Sequence, residues 1–309
     1  MSLRRTGHVE LPANIGRGGF DHAAVHAASG HLYVAHTAND AVDVIDMASG
    51  RYLRSVPGLS GVAGVLVSET KNLVFTSNRA EDTVSIFQEG REAEAEKVSV
   101  GIKPNGLAFA PSHNLLLVAN VGDPAVRGSQ TISMVDVRDR VLVSSIAVPD
   151  RTRWAIYDDA LDAFYVNIRD PSQIAVVSGR EPGRVECTIP VPATGPHGLE
   201  LDAGRRCLFC ACDAGKLFTL QLPSGEVVGE YELSGTPDVI FHNALKDRLY
   251  VAVGDPGVID VFDTRTMEMI ETCRTENGAH TIALDATGNR VYAFLPETHR
   301  ASVYTDEGA

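Results

Sequence analysis

The sequence predicts an all-β chain folded as a seven-bladed β-propeller of four-stranded antiparallel blades, on three observations. One phrase recurs seven times: an entry residue, an apolar strand, a Gly/Asp/Asn turn and a second strand worded like Leu117-Val-Ala-Asn120. Its clearest copies open at Lys103-Pro-Asn-Gly-Leu-Ala-Phe-Ala110, Gly195-Pro-His-Gly-Leu-Glu-Leu-Asp202, Gly235-Thr-Pro-Asp-Val-Ile-Phe-His242 and Gly278-Ala-His-Thr-Ile-Ala-Leu-Asp285. The spacing of the copies is regular. Entry positions at Asp21, Ala63, Asn105, Arg153 or Trp154, His197, Asp238 and His280 are about 42, 42, 48, 44, 41 and 42 residues apart. A period of roughly 40–45 residues with four short strands per unit marks a propeller blade. Finally, the copies span residues 1–309 as one domain, with blades starting near 21, 63, 105, 153, 197, 238 and 280.

Each element follows from its residues. In the third unit the strands read Gly106 to Ala110, Leu115 to Asn120, Thr131 to Val137 and Val141 to Val148. Turn residues separate strands throughout, as at Pro111-Ser-His-Asn114, Asp202-Ala-Gly204, Ala286-Thr-Gly-Asn289, Ser49-Gly50 and Ser224-Gly225. All four strands are expected to be apolar on both faces, since neighbouring blades cover each one. The seventh unit supplies only three strands, ending at Ala301-Ser-Val-Tyr304, whereas Gly7-His-Val-Glu-Leu-Pro12 precedes the first unit unassigned. Pairing this N-terminal segment with the last blade closes the ring and protects its edge. Asn14-Ile-Gly-Arg-Gly-Gly-Phe20 has no helix behind it and no phosphate-loop spacing, so it reads as the crossing into the first inner strand. Glu89 to Lys97 reads as a solvated turn at the rim.

Composition narrows the function. The chain is 44% hydrophobic and 6% aromatic, and no apolar run reaches the ~20 residues of a membrane span. Lys and Arg number 27 against 40 Asp and Glu, a net charge of −13, which repels nucleic acid and anionic membranes. Two arginines near the N-terminus have no apolar stretch behind them, so a cytoplasmic protein is expected, with an already removed leader as the alternative. Of the five cysteines, Cys207, Cys210 and Cys212 share one strand. Alternation points Cys207 away from the other two, so they read as small buried hydrophobes rather than a metal cluster.

The repeats resemble the YVTN (YncE-like, lactonase-like) family of seven-bladed propellers. The stretches that carry the resemblance are Gly101-Ile-Lys-Pro-Asn-Gly106, Leu117-Val-Ala-Asn120, Glu81-Asp-Thr-Val-Ser-Ile-Phe87 and Asn39-Asp-Ala-Val-Asp-Val-Ile-Asp46. The same architecture occurs in 6-phosphogluconolactonase-like enzymes, and Gly195-Pro-His-Gly198 is similar to the repeat opening of streptogramin B lyase-like propellers. The resemblance implies the fold; these families include catalytic and purely binding members.

Candidate site residues come from the ring geometry. The start of each inner strand and the end of the next strand meet at one mouth of the central channel, where propeller ligands sit. This places Asp21, His22 and His36 there, then Ala63 with Asn78, Asn105 with Asn120, Arg153 and Trp154 with Asn167, His197 with Cys212, Asp238, and His280. The other histidines, His8, His26, His31, His113, His242 and His299, read as surface residues.

His197, Asp238 and His280 from successive blades, with His22 or Asp21, form a candidate site for a divalent metal (Zn, Fe, Ni or Mn). A metal-free alternative makes a histidine the general base, oriented by Asp238 or Asp21, with Arg153 holding a substrate oxygen. Either would suit a hydrolase or lyase, with His197, His280 and Arg153 as the catalytic residues. The plainer reading is a solvated channel mouth. Asn105, Asn120, Trp154 and Arg127 are candidate substrate contacts. Arg127 lies in Val121 to Gln130, an insertion at the mouth face, where it either reaches an anion or stays solvated. The expected partner is a small molecule, with a non-catalytic propeller that binds a ligand or a protein as the alternative.

Overall fold

Seven four-stranded antiparallel sheets form the molecule in a computed structural model describing residues 3–308. Six blades use four consecutive strands, from inner to outer. The seventh is built from Thr281–Asp285, Arg290–Leu295 and Arg300–Asp306, and takes its outer strand from Leu3–Glu10. Leu3 pairs with Asp306 and Glu10 with Arg300, so the two ends of the chain close the ring as expected. Leu3 and Val9 are buried in the clusters on either side of that blade, and Leu11 joins Val9.

The inner strands begin at Phe20, Val62, Pro104, Thr152, Pro196, Thr236 and Thr281, within about two residues of the expected entries. Seven apolar clusters fill the seven spaces between neighbouring blades. Cys210 and Cys212 belong to one of these, Cys207 to the next, and all five cysteines are free thiols.

Two features depart from the expectations. The outer strands are not apolar on both faces: Arg51–Pro57, Val141–Ala147, Glu226–Glu232 and Glu268–Arg274 are largely exposed. Blades splay apart with distance from the axis, so neighbours no longer cover the rim. Charge on three of these edges, though not on Val141–Ala147, discourages pairing with other chains. The Glu89 to Lys97 segment also does more than turn, because Glu89 accepts from His31 Nδ1 at 2.7 Å and Glu92 pairs with Arg54.

Near the axis the inner strands approach closely, which explains the glycine in the repeat wording. A Cβ on Gly198 would lie 2.5 Å from Asp238 O, and Cβ atoms on Gly64 and Gly106 would overlap Asn105 O and Arg153 O. Only glycine fits where one inner strand's backbone meets the carbonyl of the next.

Candidate functional site at the channel mouth

The entry residues are aimed by bulges. In the first blade Phe20 pairs with His36 and the next partners are Ala23 and Val34, so three steps on the inner strand match two on its neighbour. Similar shifts follow Val62, Pro104, Thr152, Pro196 and Pro237, though not Thr281. A bulge leaves residues unpaired and redirects their side chains, here at the entry positions of six inner strands.

Asp238 is the electrostatic centre. His197, His280 and His22 all lie close enough to pull its carboxyl far below the usual range, outweighing burial that acts the other way. His197 lies between two carboxylates, with Nδ1 2.7 Å from Asp213 Oδ1 and Nε2 3.1 Å from Asp238 Oδ1. Burial works to lower the His197 pKa, but Asp238 and then Asp213 outweigh it and raise it to about 9. His197 is therefore an imidazolium at neutral pH.

Arg153 Nη1 also lies 3.0 Å from His197 Nε2, while its Nη2 donates to Asp213 Oδ2 at 3.1 Å. A protonated Nε2 has no lone pair to accept from Arg153, so it donates to Asp238 instead. Once that proton leaves, Nε2 can accept from Arg153. His280 is arranged differently: Nδ1 donates to Gly278 O at 2.8 Å, so in the neutral ring it is Nε2 that carries the lone pair.

On the other side of the mouth Arg79 donates to Asn105 Oδ1 at 2.7 Å and reaches Asp21 Oδ2 at 3.5 Å. Arg151, half-buried, has no ion-pair partner among the described residues, and its Nε is buried without a hydrogen bond. Burial, then the charges of Arg153, Arg79 and Arg169, lower its pKa to about 10. Arg79 Nε and Arg153 Nε are likewise buried without partners. The mouth thus collects more positive charge than its carboxylates answer.

Of the expected metal ligands, His197 and Asp238 pair directly, while His280 and His22 act on Asp238 only electrostatically, through space. His197 commits both ring nitrogens, and among the described residues no group of three or more His, Cys, Asp or Glu is arranged to hold a metal ion. His22 is buried, with Nε2 3.4 Å from Asp21 Oδ1, and desolvation lowers its pKa, so it is neutral. It packs at a tilt against Trp154, ring centroids 4.1 Å apart, and Phe241 meets Trp154 edge-on.

Other expected site residues serve the blades. His36 is fully buried between Asp43 (2.7 Å) and Asn14 (2.9 Å), against Phe20. Asn120 is fully buried and donates to Thr131 Oγ1 and Ser133 Oγ, both at 3.0 Å; Asn78 does the same to Thr83 and Ser85. The asparagine ending the second strand ties it to the third, which explains why the repeat favours it. Arg127 is exposed with no side-chain partner among the described residues; its loop is held by Ser129 and by Lys103 to Asp123 at 2.9 Å. His26 and His242, expected on the surface, are buried, the latter edge-on to Phe209.

Sequence reasoning missed Arg79, Arg151 and Asp213. A signal was present for two of them: Arg79 and Asp213 directly follow the last residue of a second strand, Asn78 and Cys212, where the chain turns back over the mouth.

A seven-bladed propeller with a charged, histidine-containing channel mouth is the class this geometry defines. No protein-family model and no curated protein matches the sequence. Among solved structures, the chain is similar to a Kuenenia stuttgartiensis hydrazine synthase chain at a TM-score of 0.80 and 14% identity, covering 94% of this chain and 96% of that one. At that identity the likeness establishes the fold. Among the described residues no helix is long and apolar enough to cross a membrane.

Proposed function

We propose that the channel mouth binds a small carboxylate- or phosphate-bearing molecule and performs lactonase-like or lyase-like proton transfer on it, with no metal required. The observation that carries this is Arg151, a half-buried guanidinium with no ion-pair partner among the described residues, flanked by Arg79, Arg153 and Arg169. Buried cations are ordinarily paired, so a ligand anion completes the set.

The two histidines fit opposite roles beside this anchor. His280 Nε2 takes a proton from water or from a carbon next to a carbonyl. His197, already protonated, gives one to the departing oxygen. For a lactone, water adds to the carbonyl carbon, the ring C–O bond breaks, and the ring oxygen takes the His197 proton. Arg153 then donates to the freed Nε2 until His280 releases its proton to solvent and His197 regains one from solvent, which resets the pair. The resemblance of the repeats to lactonase-like propellers supports this reading.

Calorimetric titration with phosphate and succinate tests the binding, with Arg151→Ala expected to weaken it at least tenfold. A pH-stat screen of carboxylate-bearing lactones tests turnover, which should fall ~100-fold or more in His280→Gln and His197→Gln. Absence of anion binding at about 10 mM, or unchanged binding in Arg151→Ala, would overturn the proposal. Binding without turnover leaves the non-catalytic ligand-binding propeller.

A further inference from the structure

Below the mouth the channel widens into a cavity of about 560 Å³. It is walled by the later residues of the inner strands and reaches the turns at Ser68-Glu69-Thr70 and Pro111, at the end opposite the entry residues. The packed pair His22 and Trp154 borders it. Its volume is that of a small-molecule site, and most of its walls are aliphatic or aromatic.

The charges in this cavity have one sign. Its titratable lining groups are His22, Glu69, Tyr157 and Glu200, with no Lys or Arg among them. His22 is neutral, and Tyr157 is pushed up to about 12, first by burial and then by Asp162. Among the described residues, the Glu200 carboxyl accepts one hydrogen bond, from the neighbouring Leu201 amide at 3.3 Å. Burial pushes this carboxyl up to about 8, so Glu200 is protonated at pH 7, with no cation in the lining to pair with. Phe109, Trp154, Tyr157 and Phe241 add ring faces and edges to the same walls.

We propose that this cavity is a second ligand site, for an apolar small molecule carrying a primary amine, whose ammonium pairs with Glu200 among the aromatic rings while its apolar body covers the aliphatic walls. An ammonium supplies the partner Glu200 lacks and is attracted to ring faces. A carboxylate finds no cation in the lining, loses its water among the apolar walls and faces the charge of Glu69. A neutral apolar molecule gains the walls alone. The site is separate from the anion site, and neither depends on the other.

Calorimetry with 2-phenylethylammonium, 2-phenylethanol and 3-phenylpropanoate tests the proposal. The ammonium should bind at least tenfold more tightly than the alcohol, and the carboxylate should not bind. Glu200→Gln should reduce ammonium affinity at least tenfold and leave the alcohol unchanged, whereas Arg151→Ala should change neither. Wild-type protein supplies a readout that needs no variant: because Glu200 ionises as the ammonium docks, close to one proton is released per ligand at pH 7, measured in buffers of different ionisation enthalpy. That release fades above pH 8. Equal affinity for ammonium and alcohol, no proton release, or no ammonium binding at about 10 mM overturns the site.

Discussion

Replacing Asp238 with Asn keeps the size of the side chain and removes the charge on which three histidines converge. Its main effect falls on His197, whose pKa of about 9 stands above the ordinary ~6.5. At 1.36 kcal/mol per pKa step this difference corresponds to about 3 kcal/mol of stabilisation, counted once because the same attraction lowers Asp238. The His197 pKa is raised on folding, so this stabilisation is fully present below pH 6.5 and is lost as pH rises through 9. Asp213 and Arg153 also face His197 and remain in the variant, so part of the upward shift survives through Asp213. Urea denaturation of wild type and Asp238→Asn at pH 6 and pH 10 isolates the effect, because groups that titrate elsewhere cancel in the difference. The variant should lose about 1–3 kcal/mol at pH 6 and much less at pH 10, and the His197 ring signals should titrate at a lower pH. Identical stability differences at the two pH values, or an unmoved His197 titration, would refute the electrostatic reasoning.

Deleting residues 1–12 removes the outer strand of the closing blade and the buried Leu3, Val9 and Leu11; at ~1.5–3 kcal/mol per side chain this approaches the stability of a whole domain, and thermal melting should show a large loss or no folding. His36→Ala leaves Asp43 buried with one partner fewer and should cost about 3 kcal/mol by urea denaturation, with phosphate binding at the mouth unchanged in the folded fraction. Gly106→Ala drives a methyl into Arg153 O, so it should lower the melting temperature and weaken anion binding together, whereas Gly30→Ala, in an open turn at positive φ, should cost stability alone. Protein stripped with EDTA should bind succinate as tightly as untreated protein; loss of binding restored by Zn, Fe, Ni or Mn would replace the metal-free site with a metal site.

Much of the ring was legible because its signals are local. A turn residue, an apolar strand and, in three blades, a glycine two steps into the inner strand each report on their own neighbourhood, and the repeated copies reinforce one another. The mouth was only partly legible. His197, Asp238, His280 and Arg153 were found from their entry positions, and bulges there turn Arg153, His197 and Asp238 toward one another. His36 and Asn120 stand at equivalent positions one strand over and were misplaced, because position along the axis does not say whether a side chain faces the channel or the next strand of its own blade.

By itself the sequence determined the number of blades, the closure of the last blade by the N-terminal strand and the level at which polar side chains gather, since all three follow from the period and wording of the repeat. Only the tertiary structure decided how those side chains are charged and paired. Asp213 comes to His197 from a residue 16 places later, Asp238 from the next blade and Arg153 from the previous one. Those through-space neighbours, with the burial they share, turn His197 into an imidazolium and leave Arg151 without an ion-pair partner among the described residues. The isolated Glu200 in the channel has the same origin, because the absence of a nearby cation is a property of seven strands brought together.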